Sequence, residues 1–541
     1  MYEIPTKEAI NIEFKSDMKK YPDQDLVEAI VGLANTNGGF LYLGVEDDGK
    51  VTGLHKAHHD EIGLMALIAN MTVPSIAVRA VMLKINEKDI MEIQVPMSRS
   101  VIATTSGKIL KRRLKLDGTP ENVPLYPHEI NSRLSDLNLL DYSAQPIMEG
   151  TIEDFDPIQR VKLKNIIKLQ RGEANLLELN DEELDKALGF VKEINGKIFP
   201  TVTGMLMIGK AERIAQWIPT AKSMFQVLEG TDIKKNESFI KPILASVEFL
   251  EGQIDIRNNE EELELGFVRI AIPDFDKAAC REAIINAYCH RDYTILGSIR
   301  VLMDDEGITV SSPGGFIQGV NLNNLLTVEP HGRNQTLADA LKRLGLAERT
   351  GRGVDRIYEG SIIYGRPLPD YSDSTSTMVR LFIQRSTPDY NFMKMIMQEQ
   401  SKSKKKFPIY ALLILYYLKI NSEMTLRELI ELLHINQNRI EANLEILFEA
   451  GLIEKIKDHQ YQICEKVYPC QKKSKKMKIS DYADKVMAFA NKQQDSITRE
   501  DVINLLNVES SQAYRILKKL VDQDKLVLVG KGKYAKYIIK K

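Results

Sequence analysis

The C-terminal part of the chain contains one pattern twice, and this repeat limits how the chain can fold. From Thr425 the sequence predicts a capped helix, a short turn and a second helix that ends at Gly451. A strand-like hairpin follows, and the same order returns from Thr498. The repeat predicts two small helical modules, at 405–468 and 479–541, instead of a single continuous core.

The order of helix, turn, helix and hairpin is that of a winged helix-turn-helix, whose second helix usually lies in the DNA major groove. Candidates for DNA contact lie on the second helices and the last wing: Gln437, Arg439, Gln512, Arg515, Lys519, Lys531 and Lys533. The lysines suit phosphates better than bases. Winged helices also act as protein-interaction or dimerisation modules, and acidic residues make the first copy less suited to DNA: Glu441, Glu445 and Glu449.

The formal net charge of -2 hides a difference along the chain. Residues 391–541 contain 28 Lys and Arg against 18 Asp and Glu, whereas residues 1–390 contain 45 against 57. A basic tail beside an acidic body is typical of a chain in which one part contacts a polyanion. Lys-rich linkers are the alternative source of the surplus. At about 150 residues per domain, the length predicts about three to four domains.

Composition and cysteine usage favour a cytoplasmic protein without a membrane partner. Hydrophobic residues make up 43% and charged residues 27% of the 541 positions, which is typical of soluble globular chains. The four cysteines are irregularly spaced and form no C-x-x-C pair, which fits a reducing compartment. The N-terminus lacks a signal sequence, and the apolar run at 410–418 is about half as long as a membrane span.

Residues 1–135 are predicted to be mixed α/β, with a strand at I-N-I-E-F-K, a helix, and a second strand after Gly38-Gly39. The segments E-A-I-N-I-E-F-K and A-N-T-N-G-G-F-L-Y-L-G-V-E-D-D-G resemble the AlbA-like domain of the Schlafen family. In Schlafen endoribonucleases the resemblance implies a metal site of three carboxylates, which map onto Glu8, Glu13 and Asp47. Oxygen ligands of this kind suit Mg²⁺ or Mn²⁺ beside a scissile phosphate.

Basic residues near these carboxylates are candidates for contact with nucleic acid, possibly RNA. Lys15 alternates with Glu13 on one strand face, and Arg112 and Arg113 lie in a basic run. The alternative is that Glu13 and Lys15 form a surface ion pair, that Asp47 belongs to an ordinary turn, and that the basic run is a solvated strand face. Many domains of this type are regarded as nucleic-acid binders without cleavage.

Residues 266–390 contain a helix, C-R-E-A-I-I-N-A-Y-C-H-R-D-Y, that places Glu282, Asn286 and His290 on one face. This column resembles the N box of the gyrase and histidine-kinase (GHKL) ATPase superfamily, in its divergent branch that commonly follows an AlbA-like domain. The resemblance implies an α/β sandwich that binds ATP. Asn286 would help to hold Mg²⁺, Glu282 would activate water in a hydrolysing member, and His290 would lie beside the phosphates.

Later residues match further motifs of the same branch: Gly314, Gly315, Arg333, Asn334, Gly351 and Gly353. Glycines allow backbone N–H groups to approach phosphates, and the segment after Gly353 could open a helix whose N-terminus favours anions. The superfamily's adenine-binding aspartate is missing from S-S-P-G-G-F, which puts the adenine contact in doubt. A degenerate fold without nucleotide is the alternative. Residues 136–265 form a connector without a chemical signature.

Three functions follow as hypotheses. The first is an ATP-binding, DNA-binding protein of transcriptional-regulator type, in which the nucleotide state gates nucleic-acid contact. The second is an ATP-regulated, metal-dependent nuclease that acts on RNA, possibly tRNA, in phage defence. The third is a non-catalytic scaffold. Tandem winged helices and a GHKL-type ATPase domain both make a homodimer plausible.

Overall fold

The computed structural model of the protein describes residues 4–115, 117–137, 139–170, 172–265, 268–317, 319–328, 332–347, 352–457, 459–468, 486–487, 489–490, 496–506, 510–522, 525–529 and 536–539. The chain forms two compact units, residues 1–468 and 469–541. Several separate sheets alternate with helices, which confirms the expected multidomain α/β and α+β class. Within the described ranges no helix is both long enough and apolar enough to cross a membrane.

The N-terminal part is built around a four-stranded sheet. Its elements are β1 (Ile12–Lys15), α1 (Asp23–Ala34), β2 (Gly39–Leu43), α2 (Glu61–Asn70), β3 (Thr72–Val73), β4 (Arg79–Ile85), β5 (Lys88–Val95), β6 (Ala103–Thr104), β7 (Leu110–Leu114), β8 (Pro120–Pro124) and α3 (Pro127–Asp136). The sheet order is β1-β2-β5-β4, with β1 parallel to β2 and the other pairs antiparallel. Helix α1 buries Leu26, Ile30 and Leu33 in the core below this sheet, as its three- and four-residue spacing predicts.

The next part contains the central sheet of the molecule. Its elements are α4 (Pro157–Leu169), α5 (Asp181–Ala187), β9 (Val191–Ile194), β10 (Lys197–Pro200), α6 (Val202–Ile208), α7 (Ala211–Trp217), β11 (Ser223–Glu229), β12 (Asp232–Phe239), α8 (Ile243–Asp255), β13 (Glu260–Leu265), β14 (Val268–Pro273), α9 (Lys277–His290), β15 (Ile299–Met303), β16 (Gly307–Pro313), α10 (Gln335–Arg343), α11 (Gly353–Ile362) and β17 (Met378–Gln384). Five strands pair in the order β12-β11-β15-β16-β17, and α9 packs on β16 with α8 and α11 beside it.

The central sheet begins earlier in the chain than the predicted division at residue 266. Strands β11 and β12 come from the predicted connector, and β11 pairs in parallel with β15. Side chains from the connector, such as Leu163 and Met205, share one hydrophobic core with Phe225 and Ile284. The connector and the predicted nucleotide module are therefore one packed body.

The first helical module follows the predicted element order. It consists of α12 (Tyr390–Ser403), α13 (Ile409–Asn421), β18 (Glu423–Thr425), α14 (Leu426–Leu433), α15 (Gln437–Glu449), β19 (Ile453–Lys457) and β20 (Gln460–Ile463). Its three strands pair in the order β18-β20-β19. Thr425 and Glu428 form a capping box at the start of α14, and Asn436 caps α15.

This module continues the core of the central body. The apolar run within α13 is buried in one cluster with Ile362 of α11, and Leu326 and Tyr358 pack against that cluster. The Tyr410 hydroxyl donates to the carbonyl oxygen of Leu326 at 3.0 Å. Helix α13 is apolar on most of its surface because it is enclosed by its own module on one side and by α11 on the other.

The second unit repeats the element order of the first module. It contains β21 (Ser496–Thr498), α16 (Arg499–Leu506), α17 (Ser510–Asp522), β22 (Leu526–Val529) and β23 (Lys536–Ile539), with the strand order β21-β23-β22. Residues such as Val502, Leu517 and Leu526 form its core. The candidate residues Gln512, Arg515 and Lys519 belong to α17, whereas Lys531 and Lys533 lie outside the described residues.

Candidate functional site

A cavity of about 210 Å³ lies between α9, the turn after β16, α10 and the start of α11. The three polar residues of the α9 column, Glu282, Asn286 and His290, all line it. Six of the predicted nucleotide residues meet at this cavity, since Gly314, Gly315 and Gly353 line it as well. The structure thus brings together residues that are separated by about 70 positions in the sequence.

The start of α11 approaches the α9 column very closely. A Cβ atom at Gly353 would lie 2.2 Å from Oε1 of Glu282 and 3.4 Å from Nδ2 of Asn286. Glu282 is only 3% exposed, so its carboxylate has little space to move away. No described side chain caps the first turn of α11, and the N–H groups of a helix start can bind an anion. Only glycine allows the backbone to approach these polar groups so closely.

The turn after β16 forms another wall of the cavity. Gly314 has φ +98°, and a Cβ atom there would lie 2.2 Å from Nη1 of Arg333 and 2.8 Å from Cβ of Asp292. At Gly315 a Cβ atom would lie 2.4 Å from the carbonyl oxygen of Ser376. Both glycines are therefore required by close packing behind the turn, which leaves their backbone facing the cavity.

Arg333 and Asn334 do not line the cavity, contrary to their predicted role as nucleotide ligands. Arg333 donates to the carbonyl oxygens of His290 at 3.0 Å and Gly315 at 3.3 Å. Asn334 is fully buried and donates to the carbonyl oxygens of Cys289 at 3.0 Å and Arg291 at 2.7 Å. Both side chains hold the end of α9 in place, which makes them supports of the site. Gly351 lies outside the described residues.

Helix α10 supplies cavity residues that the sequence interpretation missed. Gln335, Ala338 and Lys342 line the cavity at intervals of three and four, so they form one face of the helix. The amphipathic spacing of this segment was the signal that could have identified Lys342. Asp141, far away in the sequence, accepts from the backbone N–H of Thr336 at 2.7 Å and so caps this helix from outside.

The remainder of the cavity wall is mostly apolar. Its apolar residues include Val310, Phe316, Ile317, Leu325, Val328, Val354, Ile357, Tyr371, Val379 and Leu381. Burial raises the pKa of Tyr371, so its hydroxyl stays protonated. The lining combines a carboxylate, an amide and a lysine with many apolar side chains, which suits a ligand that has both a charged and an apolar part.

Of the three carboxylates predicted to hold a metal, Glu8 and Glu13 both lie near Lys15 and already have partners. Glu13 is 6% exposed and pairs with Lys15 Nζ at 2.5 Å and with the guanidinium of Arg112. Glu8 accepts from the backbone N–H of Phe14 at 2.9 Å and lies 4.0 Å from Lys15 Nζ. Asp47 is exposed in the turn after β2. Among the described residues, no group of three His, Cys, Asp or Glu side chains is arranged to hold a metal ion.

Tyr21 lies in an acidic part of the N-terminal domain. Its pKa is raised to about 12, first by burial and then by the negative charges of Asp25, Glu28, Asp47 and Glu8.

Arg112 and Arg113, which are predicted to contact nucleic acid, both form hydrogen bonds or ion pairs within the N-terminal domain. Arg112 is 3% exposed and donates to the carbonyl oxygens of Ala9 at 3.0 Å and Ile12 at 3.2 Å. A guanidinium buried in this way cannot reach a phosphate, so the prediction for Arg112 is wrong. Arg113 is exposed on β7, where its Nε donates to Glu121 at 2.7 Å.

The candidate DNA-binding residues of the first helical module also contact side chains of the same module. Gln437 donates to Glu441 at 2.8 Å, and the guanidinium of Arg439 lies 4.4 Å from the centre of the Tyr410 ring. Burial raises the pKa of Asp355 on α11, and the positive charges of Arg352 and Arg439 oppose that shift. The start of α15 therefore lies against α13, and α13 packs on α11, the helix that begins at the cavity.

Family models match three segments of the chain. Residues 8–117 match a model described as "Schlafen, AlbA_2", and residues 297–382 match "Putative ATP-dependent DNA helicase recG C-terminal". Residues 133–224 match a domain of unknown function, DUF8451. The two matches together are those expected of a Schlafen AlbA_2 domain-containing ATP-binding protein, and the second begins at residue 297, after the end of α9.

Among solved structures, the chain is similar to the DIP2311 protein from Corynebacterium diphtheriae, at 20% identity and a TM-score of 0.51 over 98% of this chain and 95% of that chain. This likeness concerns the fold. The N-terminal domain of a RecG-related protein from Nitrosomonas europaea matches at 22% identity, over 17% of this chain and 65% of that chain, with a TM-score of 0.14. The mRNA-binding domain of elongation factor SelB from E. coli matches at 13% identity, over 27% of this chain and 98% of that chain, with a TM-score of 0.12. No curated protein matches the chain.

The packing behind the turn predicts that Gly314→Ala destabilises the protein more than an ordinary glycine substitution. The matched control is Gly319→Ala, because Gly319 has φ +89° but open space around its Cβ position. We expect the control to lose about 1 kcal/mol from backbone strain, and Gly314→Ala to lose a further roughly 1–3 kcal/mol from the collision. Urea unfolding of both variants measures the difference, and equal losses would contradict the described packing.

Proposed function

We propose that the cavity binds ATP with Mg²⁺ and that the nucleotide state controls how the protein contacts nucleic acid. The observation that carries this proposal is the convergence of the α9 column, the double glycine and the start of α11 on one cavity. The family match to residues 297–382 supports it, since the description of that family names an ATP-dependent DNA helicase.

Different residues of the cavity would bind different parts of the nucleotide. The amide oxygen of Asn286 is a suitable ligand for Mg²⁺, which also takes oxygens from substrate phosphates. Lys342 and the N–H groups at the start of α11 would bind the phosphates. The apolar wall would hold the adenine and ribose. Glu282, which lines the cavity, would accept a proton from an attacking water if the nucleotide is hydrolysed.

The nucleic-acid partner is proposed to bind at two places. Both the AlbA_2 match and the RecG match are to families associated with nucleic acids. We assign duplex DNA to the second unit, as a helix-turn-helix that binds through the basic residues of α17, and RNA to the N-terminal domain. The first helical module is the weaker DNA reader, because Gln437 and Arg439 contact neighbouring side chains. A cytoplasmic transcriptional regulator that acts as a homodimer fits these parts.

The nucleotide proposal predicts that Asn286→Ala abolishes measurable Mg²⁺-dependent ATP binding in calorimetry, because the substitution removes the metal-binding amide oxygen. The control variant is Asn259→Ala, which changes an exposed asparagine outside the cavity. We expect the control to bind ATP like the unmodified protein. Full binding by Asn286→Ala would show that the α9 column is not the metal site.

The assignment of DNA to the second unit predicts that a protein ending at residue 468 binds duplex DNA more weakly. Its slope of log affinity against log salt should become shallower by about 0.9 for each lost phosphate contact. This end point leaves the first unit intact, whereas a cut at residue 391 would remove part of its core. The shortened protein should still bind ATP. An unchanged salt slope would assign the second unit to protein interaction.

A metal-dependent nuclease is a second candidate function, and the closeness of Glu8 and Glu13 to Lys15 favours it. A divalent ion such as Mn²⁺ would have to displace the Lys15 ammonium from these carboxylates.

This second candidate predicts Mn²⁺-dependent cleavage of tRNA or single-stranded RNA by the purified protein. Glu13→Gln and Asp47→Asn should abolish it, because each removes a proposed carboxylate ligand of the metal. The matched control is Asp48→Asn, since the Asp48 carboxylate accepts from the backbone N–H of Lys50 in the adjacent turn. Cleavage that survives in Glu13→Gln would identify a contaminant or another site, and absence of cleavage in the unmodified protein would leave binding as the role of this domain.

A further inference from the structure

Helix α11 touches the Glu282 carboxylate with two of its residues. Gly353 at its first position has its Cβ direction filled by Oε1 of Glu282. One turn further on, Nη1 of Arg356 lies 4.0 Å from Oε2 of the same residue. The two carboxylate oxygens are therefore contacted by successive turns of a single helix.

The two side chains of this pair lie in different environments. Glu282 is buried at 3% exposure, whereas the Arg356 side chain is about half exposed, at 51%. An ionised carboxylate in such a position requires a nearby positive charge or hydrogen bonds, because burial penalises its charged form. Arg356 provides a positive charge on the side of Glu282 that faces the second turn of α11.

Glu282 also lines the cavity in which we place the phosphates of ATP. A second negative group beside those phosphates opposes their binding unless its charge is balanced. Lys342 lines the same cavity on α10 and lies 3.7 Å from the half-exposed carboxylate of Asp339 on its own helix, a pair that a phosphate would replace. The geometry therefore separates two cations, one for the carboxylate of the protein and one for the ligand.

We propose that Arg356 is the positioning residue of Glu282. Its guanidinium lies beside the carboxylate and keeps it directed at the cavity, and it balances the charge of Glu282 so that the nucleotide phosphates can bind next to it. Arg356 acts through Glu282 and does not contact the nucleotide. The inference rests on the proposed nucleotide site. It adds Arg356 as the residue whose positive charge allows the Glu282 carboxylate and the nucleotide phosphates to lie in the same cavity.

The test is a double-mutant cycle in the full-length protein, with the β,γ-imido analogue of ATP and Mg²⁺ as the probe in calorimetry. Arg356→Ala should weaken binding about five- to tenfold, as expected for the loss of a partly buried charge partner. Made in a Glu282→Gln background, the same substitution should change the affinity less than about twofold, because the charge that needed balancing is gone. Arg356→Lys should restore part of the loss. Arg427→Ala, at an exposed arginine of α14 that pairs only within its helix among the described contacts, is the control.

Three results would overturn the inference. The first is an unchanged affinity in Arg356→Ala, and the second is an equal loss of affinity in both backgrounds. The third is a loss of affinity that coincides with a lower thermal midpoint and is not relieved by Glu282→Gln. An equal loss would place Arg356 in direct contact with the phosphates. Failure of the unmodified protein to bind the analogue is a different result, since it contradicts the nucleotide site itself and Asn286→Ala would then show no effect.

Discussion

The candidate site depends on how the carboxyl end of α9 is held. The last carbonyl groups of a helix have no partner within it, and here Arg333 and Asn334 donate to the carbonyl oxygens of Cys289, His290 and Arg291. Because Arg333 also donates to Gly315, the end of α9 and the turn after β16 are fixed to each other. The polar column of α9 can face an open cavity because this end of the helix is secured on the side away from it.

Much of the candidate site could be predicted from the sequence, because its key residues recur at helical intervals. The spacing of Glu282, Asn286 and His290 places them on one face whatever the surroundings, and the glycine pairs indicate close backbone approach. The sequence predicts Arg333 and Asn334 as nucleotide ligands, whereas both side chains donate to backbone carbonyl groups at the end of α9. Sequence spacing cannot distinguish a residue that contacts a ligand from one that bonds to the carbonyl groups behind it.

Other features depend on pairings between distant residues, which leave no local signal. Strand β11 joins the central sheet by pairing with β15 across more than seventy residues, so the predicted boundary at residue 266 came too late. The burial of Arg112 likewise depends on residues that are distant in the sequence. Its basic neighbours predict a surface strand, but its guanidinium is buried against the carbonyl groups of Ala9 and Ile12, about a hundred residues earlier. Tertiary contacts decided both outcomes.

Helix α11 begins at the cavity and ends in the core that it shares with α13. It has ten residues, and at 1.5 Å per residue it is about 15 Å long and behaves as a stiff rod over that distance. A ligand that pushes its first turn along the axis must move its last turn by the same amount. Ile362 at its far end is fully buried in the core of the first helical module, so one short rigid element reaches from the cavity to the packed interior of that module.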